Sequence, residues 1–199
     1  NLLIPFYNNK GRLQNLQTIT PEGDKFFLKG GNPIGGYTPL DSKNQLRNPE
    51  VPLIIAEGFS TAASVHMATK APVVSVGTSS NMVPVAEEFR KTFPHREIII
   101  AADDDHVQEE KNGKNPGKEK AEEAAALVNG TAILPIFAPS EKVSSGLSDF
   151  NDLGNKSKLG SSAVKRQVQP VIDKAIVEAR RQQIQDQIKT KKTKRVVSI

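Results

Sequence analysis

The sequence predicts an α/β fold: a parallel sheet flanked by helices, preceded by a small β-rich subdomain and followed by a long basic helix. From residue 53, short runs rich in branched apolar residues alternate with stretches that repeat apolar positions at helical spacing. This alternation is typical of parallel sheets, because parallel neighbours need a crossover long enough to hold a helix. We therefore expect the α/β domain at residues 51–160, the β-rich subdomain at 1–50 and the helix and tail at 161–199.

In the first fifty residues, strands are expected at 2–6, 13–19 and 25–28. Turn sequences rich in Asn, Gly, Pro and Asp separate them. In the α/β part, the apolar runs 53–56, 73–76, 97–102 and 131–134 are too short and too rich in branched residues for helices, so they predict buried strands. The stretches between them predict helices at 60–69, 83–93 and 117–129.

The net charge of +5 is unevenly distributed. From Ser161 onward there are ten basic and three acidic residues, and their apolar positions follow one stripe of a long helix. A basic tail beside a locally acidic body fits a protein that holds a polyanion with one part and cations with the other. The charges serve equally well to keep an exposed helix hydrated.

Acidic residues follow two of the predicted strands directly. Glu57 comes after the first strand of the α/β part, and Asp103 and Asp105 come after the third. Ligands of parallel sheets bind beyond the carboxyl ends of the strands, so these side chains are expected at one edge. Period-two alternation places Asp103 and Asp105 on one side and Asp104 on the other.

A second acidic pair, Asp149 and Asp152, follows the last predicted strand and its loop. Crowded carboxylates repel one another unless a cation neutralises them or water screens them. With no cysteine and three scattered histidines, the ligands are oxygens, which favours Mg²⁺ or Mn²⁺ and argues against zinc. Paired ions of this kind serve phosphoryl transfer. Each acidic residue also has a structural interpretation, as a turn residue or a helix N-cap.

Glu57-Gly58 after one apolar strand and Asp103-x-Asp105 after another resemble the TOPRIM motif of primases, topoisomerases and some nucleases. Within that superfamily the chain looks most like the primases of conjugative plasmids and phages. The segments 115–121 and 148–153 resemble their glycine-to-helix segment and the acidic motif that closes their site. Residues 3–6, 11–13 and 25–28 resemble the subdomain that precedes TOPRIM in bacterial-type primases.

The resemblance implies roles for individual residues. Glu57 is expected to act as a metal ligand or general base, and Asp103, Asp105, Asp149 and Asp152 to hold Mg²⁺ and position the phosphates of the incoming nucleotide. Candidate contacts with the template or the nucleoside triphosphate are basic: Arg12, Lys25, Lys29, Lys118, Lys192 and Arg195.

The resemblance further implies a nucleotidyltransferase that makes short primers on single-stranded DNA from nucleoside triphosphates. The chain is expected to be part of a larger plasmid or phage replication or mobilisation protein, with helicase or relaxase domains as partners. No apolar run long enough to cross a membrane and no signal peptide is found, so a cytoplasmic protein is expected. The cysteine-rich zinc module common in bacterial primases has no counterpart here.

Two other functions use the same residues. A TOPRIM nuclease would hydrolyse phosphodiesters with the same acids, since water can replace the attacking hydroxyl. A non-catalytic TOPRIM domain would bind single-stranded DNA or dock a larger protein through the tail helix. A topoisomerase needs a nucleophilic tyrosine, and Tyr7 and Tyr37 lie in turn-like contexts that give no support to this function.

Overall fold

The computed structural model describes residues 1–142 and 146–196 and is built on two β-sheets. The first consists of β1 (Leu2–Tyr7), β2 (Leu13–Ile19) and β3 (Lys25–Phe27), which pair antiparallel in that order. On one face of this sheet Ile4 and Phe6 are buried. The three strands predicted for the amino-terminal region are therefore present, and the third ends one residue earlier than expected.

The second sheet has five strands: β4 (Thr38–Leu40), β5 (Leu53–Ala56), β6 (Val73–Ser75), β7 (Ile98–Ala101) and β8 (Thr131–Ile133). Their order is β4-β6-β5-β7-β8, and every pair is parallel except β4 with β6. The predicted parallel α/β sheet is confirmed, with β5 and β7 side by side near its centre.

The edge strand β4 was not predicted. It contains Pro39, which has no backbone N–H to donate and is tolerated in a sheet mainly at an edge. Although β4 belongs to the region expected to form a separate subdomain, it pairs with β6 of the larger sheet. Two hydrogen bonds of 2.9 Å between the backbones of Tyr7 and Tyr37 then join the two sheets. The β-rich region is thus continuous with the α/β part.

The described residues also form a 3-10 helix at Ser79–Asn81 and α-helices with these bounds: α1 (Phe59–Thr69), α2 (Met82–Thr92), α3 (His106–Asn112), α4 (Pro116–Leu127), α5 (Pro139–Lys142), α6 (Phe150–Asn155) and α7 (Ala163–Val196). The predicted helices correspond to α1, α2, α4 and α7. Helices α3 and α5 were not predicted, because neither is long enough to show helical periodicity. Both segments have the polar composition that is usual for loops.

Alternation along the strands divides the core into two layers. Ile54 and Ala56 on one face of the sheet pack with α1, α6 and α7, and Leu53 and Ile55 on the other pack with α2 and α4. These strands are buried on both faces, which explains their continuous apolar sequences. The sheet is therefore fixed from both sides, and its carboxyl edge is left for polar residues.

The first part of the tail helix α7 packs in the core, and its later part is exposed to solvent. Val164, Val168 and Ile172 in its first part are buried in the core, whereas Ile184 and Ile188 further along are about half exposed. The amphipathic stripe predicted from the sequence thus belongs to the core only in its first few turns. Of the helices in the described ranges, none combines the length and apolar character needed to cross a lipid bilayer.

Gly77, which follows β6, fixes how closely the two sheets approach each other. It has a φ of +82°, and a β-carbon there would lie 2.6 Å from Phe27 Cζ and 2.8 Å from Phe6 Cζ. The two phenyl rings pack edge to face, with centroids 5.1 Å apart. Glycine is therefore required at this position both by the backbone conformation and by the rings of the first sheet.

We predict that Gly77→Ala destabilises the protein more than Gly35→Ala does. Gly35 has a similar φ of +76°, but a β-carbon there would have no atom within 4 Å, so it controls for the backbone cost, which is on the order of 1 kcal/mol. The collision with the rings should lower the midpoint of thermal unfolding by about 5–10 °C beyond the control. Equal midpoints for the two variants would show that the sheets do not depend on this contact.

Candidate metal centre at the carboxyl edge of the sheet

Glu57 and Asp103 emerge from neighbouring strands. Ala56 at the end of β5 pairs with Ala101 at the end of β7, and Glu57 and Asp103 follow within two residues. Both side chains therefore reach the same edge, where the backbone no longer pairs and side chains can approach a ligand.

Among the acids at this edge, Asp103 has the pKa that differs most from its ordinary value. Burial, and then the charges of Asp149, Glu57 and Asp105, raise its pKa to about 8, while Lys25 opposes the rise. Its Oδ1 atom is buried and has no hydrogen-bond partner among the described residues. A carboxylate in this position is destabilised unless a proton or a cation joins it.

Burial and neighbouring charges also affect Glu57. Its pKa is raised above the ordinary value, mainly by burial and further by Asp105. The charge of Lys25 and a hydrogen bond from the Ser79 backbone oppose this rise without cancelling it. A β-carbon at Gly58 would lie 3.5 Å from Lys25 Nζ, so this lysine of the first sheet reaches the turn beside Glu57. The amino-terminal sheet thus contributes a cation to the acidic edge.

Asp105 is held by the start of α4. Its Oδ2 atom accepts a hydrogen bond of 3.0 Å from the backbone N–H of Gly117, in the first turn of the helix, where the dipole favours negative charge. A β-carbon at Gly117 would lie 2.6 Å from the carbonyl oxygen of Asp103 and 3.1 Å from Asp105 Oδ2. Only glycine permits this close approach between the helix and the acidic loop.

Asp104 is turned away from the acidic edge. It is buried, and its carboxylate accepts a hydrogen bond of 2.9 Å from Asn115 Nδ2. Its backbone N–H donates to the carbonyl of Ser148 over 2.7 Å. The alternation predicted for this run of three aspartates agrees with these contacts.

Asp149 and Asp152 have different surroundings. Asp149 is the N-cap of α6: one of its oxygens accepts from the Asp152 backbone and the other from the Thr61 hydroxyl, at 2.6 and 3.1 Å. Asp152 accepts from the Ser148 backbone and forms an ion pair of 2.8 Å with Lys156. Only Asp149 is among the charges that act on Asp103, so the geometry favours Asp149 over Asp152 as a member of the acidic group.

Of the predicted basic residues whose side chains the structure describes, Lys25 alone is brought to these acids. Arg12 lies in the β1–β2 turn and Lys29 follows β3, both exposed, and Lys118 is in the first turn of α4. None of these three side chains forms a hydrogen bond or ion pair with the acidic group in the described residues. The side chains of Lys192 and Arg195 lie outside the part of the chain that the structure describes.

His106 directly follows the run of three aspartates and is not exposed. It is buried at the start of α3, with Nδ1 3.1 Å from the Asp104 carbonyl oxygen and Nε2 unpartnered among the described residues. It lines a cavity of about 450 Å³ that also borders Asp105 and Ser148. The sequence could not reveal this burial, because α3 has no periodic pattern of its own.

The donor set fits a hydrated hard cation. Glu57, Asp103, Asp105 and Asp149 supply carboxylate oxygens, one of them buried and without a partner. Within residues 1–142 and 146–196, no three acidic or histidine side chains converge tightly enough to enclose an ion by themselves. Mg²⁺ is usually held by one or two carboxylates together with waters and substrate phosphates, so such an open arrangement suits it.

We predict that Asp103→Asn stabilises the metal-free protein at pH 7.5. The unfolded carboxyl ionises near pH 4, whereas the folded one keeps its proton up to a pKa of about 8, so the wild type loses stability as the pH rises between these values. Asparagine cannot ionise and escapes this loss, which is on the order of 5 kcal/mol at pH 7.5.

Denaturant unfolding at several pH values, with chelator present, measures this difference. The advantage of Asp103→Asn should shrink as the pH falls towards 4. Asp152→Asn is the matched control, because it removes an ion pair with Lys156 and should bring no gain at neutral pH. Parallel pH profiles for the wild type and Asp103→Asn would contradict the strong burial of this charge.

The fold and the acidic edge define a Toprim domain. A family model described as Toprim domain matches residues 52–158, more than half of the chain, and the chain belongs to this family. The matched residues contain β5 to β8 and all of the acids described above.

Among curated proteins, the chain is similar to two that are both named DNA primase TraC, from Escherichia coli. One is 39% identical over 138 residues, covering 69% of this chain and 10% of the relative. The other is 30% identical over 239 aligned residues, covering 92% of this chain and 22% of the relative. The chain therefore spans about a tenth to a fifth of the length of these relatives. The resemblance to plasmid-type primases drawn from the motifs is confirmed.

Among solved structures, the chain is similar to the primase fragment of the bacteriophage T7 primase-helicase protein. The TM-score is 0.55 at 17% identity, and the match covers 83% of this chain and 62% of the other. At this identity the likeness concerns the fold alone. The matched share of this chain is larger than the Toprim residues alone.

Proposed function

We propose that this chain carries the catalytic site of a DNA primase, a nucleotidyltransferase that makes short primers on single-stranded DNA from nucleoside triphosphates. The observation that carries the proposal is the electrostatic coupling of Asp103 to Glu57, Asp105 and Asp149, with Lys25 beside them. Similarity to proteins named DNA primase supports the choice of reaction.

In the proposed mechanism, Asp103, Asp105 and Asp149 would hold Mg²⁺ or Mn²⁺, which would supply neutralisation of phosphate charge and polarisation of the reacting oxygens. Gly117 N–H keeps Asp105 turned into the site, and Thr61 does the same for Asp149. Glu57, whose pKa is raised, either completes the metal ligands or accepts the proton of the attacking hydroxyl.

Lys25 is proposed to contact the triphosphate. Its ammonium group lies at the turn after Glu57 and acts electrostatically on both Glu57 and Asp103. A point charge at this position balances the acids in the free protein and can turn to phosphate oxygens when a nucleotide enters. Arg12, Lys29, Lys118 and the basic run containing Lys192 and Arg195 are proposed as contacts with the template backbone.

The proposed setting is a larger protein of plasmid or phage replication or mobilisation, working in the cytoplasm where templates and triphosphates are present. Helicase or relaxase domains, in the same or another chain, are the proposed partners. The structural neighbour from bacteriophage T7 is named as a primase-helicase protein, which agrees with a helicase partner.

Calorimetric titration of Mn²⁺, with and without ATP, tests the metal site. Wild-type protein should bind Mn²⁺, and ATP should strengthen binding because its phosphates complete the coordination shell. The variant Asp103→Asn/Asp105→Asn should lose both effects, whereas Asp173→Asn, at an exposed residue of α7, should keep them. A wild type that binds no Mn²⁺ under either condition would favour a non-catalytic DNA-binding or docking role.

Primer synthesis must then be measured with the neighbouring domains of the full-length protein present. The expected product is a dinucleotide or longer primer that requires a template, triphosphates and Mg²⁺ or Mn²⁺. Metal-dependent cutting of DNA without triphosphates, and no primer, would instead identify a nuclease.

We also predict that Lys25→Ala weakens ATP binding about tenfold in the presence of Mn²⁺. The loss of one close charge contact to phosphate is worth on the order of 1.5 kcal/mol in a half-buried site. Lys91→Ala is the control, because Lys91 is an exposed lysine in the last turn of α2. If both variants bind ATP like the wild type, Lys25 only balances the acids and does not contact the nucleotide.

A further inference from the structure

The side chain of Asn115 makes the largest possible number of hydrogen bonds for an amide. Its Nδ2 donates to Asp104 Oδ1 and Glu109 Oε2, at 2.9 and 3.0 Å, and its Oδ1 accepts from the backbones of Asp105 and Lys118, at 3.1 and 3.2 Å. The residue is only 3% exposed. The partners also fix the orientation of the amide, because two carboxylates need donors and two N–H groups need an acceptor.

These bonds connect three segments of the acidic edge. Asn115 caps α4, whose Gly117 N–H binds Asp105, and it also binds the Asp105 backbone directly. Through Asp104 it reaches the loop before α6, since the Asp104 N–H donates to the Ser148 carbonyl.

The Ser148 backbone continues the connection to Asp149. Its N–H donates to Asp152 Oδ2 over 3.1 Å, and the Asp152 N–H donates to Asp149 Oδ1 over 2.6 Å. A chain of hydrogen bonds thus runs from Asn115 to a second acid of the group, more than thirty residues away in sequence.

We propose that Asn115 is a positioning residue that sets the spacing of Asp105 and Asp149 for the metal. This inference rests on the proposed metal site of the primase and adds to it a residue that touches neither metal nor substrate. Carboxylates that bind a metal repel one another and move apart unless neighbouring residues hold them by hydrogen bonds. Mutation of such neighbouring residues commonly lowers metal affinity 10–100-fold.

Neither serine nor aspartate reproduces these four bonds. Serine can cap α4 almost as well as asparagine, but it has a single donor and is too short to bridge Asp104 and Glu109. Aspartate has no donor and would place a third charge beside these two carboxylates. A serine variant therefore separates the capping of α4 from the positioning of the acids.

The test is Mn²⁺ titration of the full chain carrying Asn115→Ser, together with thermal unfolding. We expect the unfolding midpoint to stay within a few degrees of the wild type and Mn²⁺ affinity to fall about tenfold. The matched control is Asn48→Ser, which alters an exposed turn asparagine whose Oδ1 accepts from the Glu50 backbone. Its affinity for Mn²⁺ should not change.

A second variant guards against loss of structure at the helix cap. Asp104→Ser removes the carboxylate that Asn115 binds and leaves the cap of α4 intact. It should also lower Mn²⁺ affinity, and the double variant should lose less than the two single losses combined, because both act through one bond.

Luminescence lifetimes of bound Tb³⁺ in H₂O and D₂O supply a readout that a general loss of stability would not move. Tb³⁺ is an oxygen-seeking ion, and its lifetimes count coordinated waters. We expect about one additional water in each single variant, where a displaced carboxylate leaves a coordination position open.

The outcomes separate the two proposals. If the wild type binds neither Mn²⁺ nor Tb³⁺, the metal site itself fails. If the wild type binds and both Asn115→Ser and Asp104→Ser bind with the same affinity and the same number of waters, Asn115 only caps a helix and the inference is overturned.

Discussion

Repulsion among half-buried carboxylates is the constraint around which this structure is organised. Four acids lie together at the carboxyl edge of the sheet, and burial makes the charges of Asp103 and Glu57 costly. The protein holds them with neutral donors: backbone N–H groups of Ser79, Gly117 and Asp152, and the hydroxyl of Thr61. Among the described residues, Lys25 acts on Glu57 and Asp103 and Lys156 acts on Asp149, so the site retains an excess of negative charge that a divalent cation can neutralise.

Placing Lys25 at the acids depends on how the two sheets dock. Lys25 is the first residue of β3, and Phe27 of the same strand packs against Phe6 over Gly77. Gly77 follows β6, and its backbone N–H donates to the Glu57 carbonyl over 2.8 Å. The contact that joins the sheets is therefore also next to the acid that Lys25 balances. The amino-terminal sheet is part of the site and not a separate module.

The sequence predicted the parts of this arrangement that local pattern controls. Strands β5 to β8 are short branched runs, and carboxylates that directly follow β5 and β7 must lie at one edge of a parallel sheet. It did not predict β4, whose three residues include Pro39, or the burial of His106 in the short helix α3. Neither is marked by periodicity, because each is fixed by contacts with distant segments.

The sequence also could not distinguish the roles of Asp149 and Asp152, the two acids after the last strand. Asp149 and Asp152 are equivalent in sequence, since both are aspartates beside an apolar helix start. Their roles diverge only in three dimensions, where Asp149 faces Asp103 and Asp152 pairs with Lys156. Asn115 is a similar case, because a lone asparagine before a proline predicts a helix cap and nothing more. Its contact with Asp104 crosses from one loop to another.

The tail helix shows why the boundary expected near residue 160 does not divide the structure into independent parts. Val164, Val168 and Ile172 share a core layer with Phe150 and Leu153 of α6, the helix that Asp149 caps. That layer also includes Ile54 and Ala56 of β5, the strand before Glu57. The first turns of α7 therefore support two acids at once, and a chain cut at 160 would expose this layer to water. Only the later part of α7, where Ile184 and Ile188 are exposed, is left outside the core that supports the site.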